Sequence, residues 1–89
     1  MVRALKGSFQ GKGLRIAVVV ARFNEDITQQ LLKAAQHTLI SNGVRDNDIV
    51  HANVPGSFEL PVVARKLAET GQFDAVICLG AVIKGETPH

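Results

Sequence analysis

The hydrophobic residues of this chain switch repeatedly between strand and helix periodicity, and no other feature restricts the possible folds as strongly. Leu14 to Val20 is a compact run dominated by β-branched residues, the pattern of a parallel strand buried on both faces. Ile27, Leu31, Ala34, Ala35, Thr38 and Leu39 then recur at helical spacing. Ile49 to Val54 returns to a strand pattern, Val62, Val63, Leu67 and Ala68 mark the inner face of a second helix, and Ala75-Val76-Ile77-Cys78-Leu79 forms a third strand. Strands alternating with helices in this order call for right-handed crossovers. The expected class is α/β, with a parallel sheet and helices packed on it.

Local signals punctuate these segments. Asn24 stands where a helix N-cap belongs, and Glu25 and Asp26 follow it where the positive end of the helix dipole favours acids. Asn42-Gly43 supplies a helix stop, and Asp46-Asn47-Asp48 is a turn leading into the second strand. Pro55-Gly56 breaks that strand, Ser57 is placed to cap the second helix, Pro61 is tolerated in its first turn, and Gly71 ends it. Helices are therefore expected at about 25 to 42 and 57 to 70, with bounds good to roughly two to four residues. The first residues, Met1 to Phe9, suit a loose edge strand. Gly7, Gly11 and Gly13 form a lead-in and not a phosphate loop, because they precede the strand and Lys12 is followed by glycine instead of Ser or Thr.

Composition excludes several functions. With 89 residues, 46% of them hydrophobic, the whole chain from 1 to 89 makes one small folded domain whose core is marginal alone. Cys78 lies in an apolar strand pattern and reads as a buried small hydrophobe, and a lone cysteine fits a reducing cytoplasm. Net charge is only +2 and the ten basic residues are scattered, while four Phe are the only aromatics, so nucleic-acid binding is not expected. The longest apolar run, Ile16 to Ala21, is too short to span a bilayer. The expectation is a soluble cytoplasmic protein with no membrane partner. His37 and His51 fall on polar faces, no metal-ligand spacing appears, and no cofactor is expected.

In open parallel sheets, ligands bind beyond the carboxyl ends of the strands. Three unusual loops fall on that edge: Ala21-Arg22-Phe23-Asn24 after the first strand, Pro55-Gly56-Ser57-Phe58-Glu59 after the second, and Gly80-Ala81-Val82-Ile83-Lys84-Gly85-Glu86-Thr87-Pro88-His89 after the third. Phe23 reads either as a hydrophobic staple at a helix start or as a ring for stacking on a flat heterocycle. Glu59 reads either as an acid favoured by the helix dipole or as an acceptor for ligand hydroxyls. His89 in isolation reads as a terminal side chain, and within the three-loop pattern as a proton-transfer group.

These three segments, in order and at matching separations, resemble the 6,7-dimethyl-8-ribityllumazine synthase family, and the resemblance runs from the first strand to His89. It implies a flavodoxin-like three-layer α/β/α subunit. Members are transferases of riboflavin biosynthesis that condense 5-amino-6-(ribitylamino)uracil with 3,4-dihydroxy-2-butanone 4-phosphate, releasing phosphate and water. By that resemblance Phe23 stacks on the pyrimidine, Ser57, Phe58 and Glu59 contact the uracil and its ribityl chain, and Ala81, Val82 and Ile83 hold the ring through main-chain groups. Glu86 and Thr87 lie at the phosphate, through main-chain N–H groups and the Thr87 hydroxyl, and His89 moves protons. Glu86 is an acid beside a phosphate, so its backbone and not its carboxylate must face the ligand. The resemblance also implies homopentamers, sometimes assembled into hollow icosahedral shells, with each site shared between subunits.

The resemblance covers only about the first half of the family's pattern. The family's last strands and helices, a second aromatic at the pyrimidine site and the basic residues that complete phosphate binding have no counterpart before His89. The chain is therefore expected to be a partial or truncated form, ending after the third core strand. An alternative from a different class stays open: a non-catalytic pyrimidine-binding or assembly module of the same fold. A generic phosphate-binding protein would explain the glycines but not the loops carrying Phe23 and Glu59.

Overall fold

A computed structural model of the chain describes residues 11–82. Strand β1 (Ile16–Ala21) is followed by helix α1 (Glu25–Ser41), strand β2 (Ile49–Val54), helix α2 (Leu60–Glu69) and strand β3 (Ala75–Leu79), with short 3₁₀ turns at Asp46–Asp48 and Ser57–Glu59. The strands form one parallel sheet in the order β2-β1-β3. Both crossovers expected from the alternating periodicity are present, and the architecture is that of a flavodoxin-like α/β protein through its third strand.

The order places β1 in the middle, and its composition explains why. Each of its residues, Ile16-Ala17-Val18-Val19-Val20-Ala21, is buried. Side chains alternate across a strand. Ile16, Val18 and Val20 therefore join Leu32 and Leu39 of α1, with Val44, in one core, while Val19 and Ala21 join Val54 and Leu60 in a second core on the α2 side. A strand with a polar residue at any of these positions would strand that group without water.

The helices meet the sheet along stripes offset from the expected ones. On α1 the buried residues are Thr28, Leu32 and Leu39; of the expected stripe Leu39 is buried and Ala35 half-buried, whereas Ile27, Leu31, Ala34 and Thr38 are exposed. The two stripes are adjacent on the helix, and β1 takes the one that can bury Thr28, whose hydroxyl donates to the Glu25 carbonyl at 3.3 Å. On α2 Leu60 is buried and Val63 and Leu67 pack against the core, while Val62 and Ala68 are exposed. The second helix also begins differently. Residues 57–59 form a 3₁₀ turn ahead of α2, and Gly56 occupies the cap position instead of Ser57. Cys78 is exposed, against the expectation of a buried thiol, because β3 is an edge strand of the described sheet. His37 and His51 are exposed. Met1 to Phe9 lie outside the described residues.

The ends of the strands are tied by backbone bonds. At the amino end the Asp74 N–H donates to the Arg15 carbonyl and the Arg15 N–H to the Asp74 carboxylate, each at 2.8 Å, and the Arg15 guanidinium lies 5.4 Å from the centre of the Phe73 ring. At the carboxyl end the β1–β2 pairing continues beyond both strands: the Arg22 N–H donates to the Val54 carbonyl (2.7 Å) and the Phe23 N–H to the Pro55 carbonyl (3.1 Å). Phe23 is thereby set beside Pro55 by a main-chain bond.

The offset of the helix faces yields a stability contrast. Val19→Ala, in the fully buried strand, should lower unfolding free energy by about 2 kcal/mol or more, the transfer cost of the lost methyls plus a cavity term. Val62→Ala should change it by no more than about 0.5 kcal/mol, as expected of an exposed position. Urea titrations followed by far-ultraviolet circular dichroism measure both, and equal losses would return Val62 to the core.

Candidate functional site

Three loops converge at the carboxyl edge of the sheet around a cavity of about 420 Å³. Phe23 follows β1, residues 55–59 link β2 to α2, and Ala81 and Val82 follow β3, and all of them line it. The volume falls in the range of small-molecule pockets. Its walls are mostly apolar, with Phe23, Phe58 and Val82 more than half exposed. A flat, partly apolar ligand fits such a cleft, because the aromatic surface is both accessible and backed by a rigid strand end.

Among the described residues, the polar side chains that line the cavity are those of Ser57 and Glu59, both in the link between β2 and α2. Gly56 is extended (φ −147°, ψ 174°), and its N–H donates to Glu59 Oε1 at 2.7 Å while the Glu59 N–H donates to the Gly56 carbonyl at 3.2 Å. This reciprocal pair closes the 3₁₀ turn and holds the carboxylate at the pocket's edge. The two sequence readings of Glu59, helix-start acid and ligand acceptor, are thus compatible: one oxygen is committed to the turn and the carboxylate as a whole still lines the cavity. Ser57 is half-buried and lines the same cavity without capping the helix through its side chain.

Asn24 is the N-cap of α1, as expected, but it caps through its backbone and not its side chain. Its backbone is left-handed (φ 61°, ψ 53°), and its carbonyl accepts from the N–H groups of Ile27 and Thr28 to start α1. Its side-chain amide points the other way and donates to the Ala81 carbonyl at 3.4 Å, linking the loop after β1 to the loop after β3. Left-handed geometry disfavours most L-residues, and Asn is among the few that tolerate it. The cap position was legible in the sequence; the left-handed backbone and the contact to Ala81 were not.

Of the residues expected at the site, Phe23, Ser57, Phe58, Glu59, Ala81 and Val82 are brought together here. Ile83, Glu86, Thr87 and His89 lie outside the described residues. Pro55 and Gly56 are additional lining residues. Among the described residues no group of three His, Cys, Asp or Glu side chains is arranged to hold a metal ion, and no helix is long and apolar enough to cross a membrane.

An open parallel sheet with an apolar cleft at its carboxyl edge defines an α/β protein with a cavity at the place where such sheets hold ligands. Comparison narrows the class. The profile of the 6,7-dimethyl-8-ribityllumazine synthase family matches residues 13–89. The chain is 56% identical over 88 residues to the 6,7-dimethyl-8-ribityllumazine synthase of Thermococcus gammatolerans, covering 99% of this chain and 56% of the relative. It is 52% identical to the protein of the same name from Thermococcus kodakarensis, covering 99% of this chain and 55% of that one. The chain belongs to the 6,7-dimethyl-8-ribityllumazine synthase family, and it spans about half the length of these relatives.

The left-handed geometry at Asn24 can be tested by substitution. Asn24→Ala should lose about 1 kcal/mol more stability than Asn24→Gly, because glycine adopts a positive φ without the Cβ conflict. Chemical denaturation of both variants decides it. A larger loss for the glycine variant would mean that the amide contact to Ala81, and not the backbone, governs this position.

Proposed function

We propose that the protein acts as a lumazine synthase, condensing 5-amino-6-(ribitylamino)uracil with 3,4-dihydroxy-2-butanone 4-phosphate to 6,7-dimethyl-8-ribityllumazine with release of phosphate and water. The observation that carries this reading is the joint presence of family membership over residues 13–89 and a cleft lined by residues from all three motif-bearing loops. Phe23 offers its face to the pyrimidine, Ser57, Phe58 and Glu59 meet the uracil and the ribityl hydroxyls, and the backbone at Ala81, Val82 and Ile83 completes recognition of the ring. Apolar walls with a carboxylate and a hydroxyl at one side suit a heterocycle that carries a polyol.

The chemistry requires proton movement. The amine of the uracil adds to the ketone and must lose a proton, and phosphate departure and ring closure need further transfers. An imidazole, with an ordinary pKa of about 6.5, is suited to that work, and the role falls to His89. The backbone N–H groups of Glu86 and Thr87 and the Thr87 hydroxyl are assigned to the phosphate. Holding both reactants together supplies much of the acceleration, because a bimolecular addition becomes effectively unimolecular. No cofactor is assigned. The active form is proposed to be a homopentamer or a larger shell, with Met1 to Phe9 contributing to assembly, working in the cytoplasm.

The direct test mixes protein with both substrates and follows product absorbance. Formation of the lumazine is expected. Pyrimidine binding with no turnover in any assembly state would favour the non-catalytic binding module, and absence of pyrimidine binding would remove the assignment.

Two substitutions separate recognition from chemistry. Phe23→Ala should weaken the pyrimidine substrate by about 1 kcal/mol or more while leaving the butanone phosphate nearly unaffected. Titration of each substrate measures this, and equal losses would make Phe23 structural. His89→Ala should slow turnover at saturating substrate by about 10² to 10⁴, or less where proximity dominates, with pyrimidine affinity retained. Unchanged turnover would reduce His89 to a positioning residue.

A further inference from the structure

Gly80 follows β3 directly and borders the pocket without being among its lining residues. Its backbone does not require glycine, since among the described residues the glycines with positive φ are Gly13, Gly43 and Gly71. Space does. A Cβ built on Gly80 would lie 2.7 Å from Ser57 Oγ, 3.0 Å from Leu60 Cδ1 and 3.5 Å from Ser57 Cβ. The missing side chain at the end of β3 is replaced by the hydroxyl that opens the 3₁₀ turn before α2.

The two neighbours differ in their freedom to give way. Leu60 is buried in the core on the α2 side, so its side chain is confined there by Val19, Ala21 and Val54. Ser57 is half-buried, and no hydrogen bond among the described residues holds its hydroxyl. A methyl at position 80 would displace the hydroxyl first, because one rotation about χ1 moves Oγ while the core stays packed.

We propose that Gly80 is a positioning residue for ligand recognition: by leaving room for Ser57 Oγ, it sets the direction in which that hydroxyl meets a polar group of the bound pyrimidine or its ribityl chain. This rests on the pyrimidine reading of the cleft. A hydroxyl held by shape instead of by a protein partner keeps its donor and its acceptors available to the ligand. Discrimination then comes from the cost of leaving a polar group unpaired when the hydroxyl points elsewhere.

A double-mutant cycle on the full chain tests it, with equilibrium binding of 5-amino-6-(ribitylamino)uracil measured for wild type, Gly80→Ala, Ser57→Ala and the double variant. Gly80→Ala should bind roughly tenfold more weakly, a loss comparable to that of Ser57→Ala, and the double variant should bind no more weakly than Ser57→Ala alone. Affinity for the butanone phosphate should not change. Multiplying losses in the double variant, or wild-type affinity in Gly80→Ala, would overturn the proposal. If Gly80→Ala fails to fold, recovery of its circular dichroism by Ser57→Ala supports a collision with the hydroxyl, whereas an unfolded double variant assigns the collision to Leu60 and overturns it. Failure of the wild-type protein to bind the pyrimidine is seen in the first titration alone, and it removes the substrate assignment together with this proposal.

Discussion

Everything in this small fold depends on the burial of β1. Among the described strands it is the one with a neighbour on each side, and helices cover both of its faces. Its residues are aliphatic throughout, so neither face carries a polar side chain that would need a partner. The backbone groups are satisfied by the ladders to β2 and β3, which is the condition for burying main-chain amides. Because both cores are built on this strand, its carboxyl end is the most firmly located point at the edge where the loops meet. Phe23 inherits that position two residues later, through the continued bonds to Val54 and Pro55.

The cleft follows from where the elements stop. β2 ends at Val54, and an extended Gly56 with the Glu59 carboxylate bonded to its N–H turns the chain sharply into α2. β3 ends at Leu79, and Gly80 lets the incoming turn pass close beneath it. The site is therefore made by chain reversals next to a rigid sheet, an economical way to hold a few side chains in relation to one another. Among the described residues, apolar surfaces from Phe23, Phe58 and Val82 line the cleft with one carboxylate, of Glu59, and one hydroxyl, of Ser57. That ratio suits recognition by shape with a small number of directional bonds.

Much of this was readable from residue types. The three strands, the two crossovers and the clustering of loops at one edge follow from short apolar runs, from helical spacing between them and from the handedness of connections. The stripe that each helix buries was not readable in the same way. Ile27 and Leu31 are as apolar as Leu32 and Leu39, and only contact with β1 decides between neighbouring stripes; Thr28, a polar residue, is buried because it can bond back to Glu25. Cys78 was misread because a run of apolar residues does not reveal whether its strand lies at the centre or the edge of the described sheet. At the site, residue type announced Phe23 and Glu59, but the uses of Asn24 and Gly80 depend on partners more than twenty positions away, which no local pattern encodes.

The separation of those partners has a kinetic side. Asn24 and Ala81 are 57 positions apart, and Arg15 and Asp74 are 59 apart. Contacts this distant in the chain carry a larger loop-closure cost than the β1–β2 pairing does, and the cleft depends on them. A molecule seated between Phe23 and Ala81 touches the first strand's loop and the third's at once, and so acts as a non-covalent staple across most of the chain. The binding energy of any such molecule would add to folding by mass action, so that the equilibrium stability of the fold would rise with the concentration of its ligand.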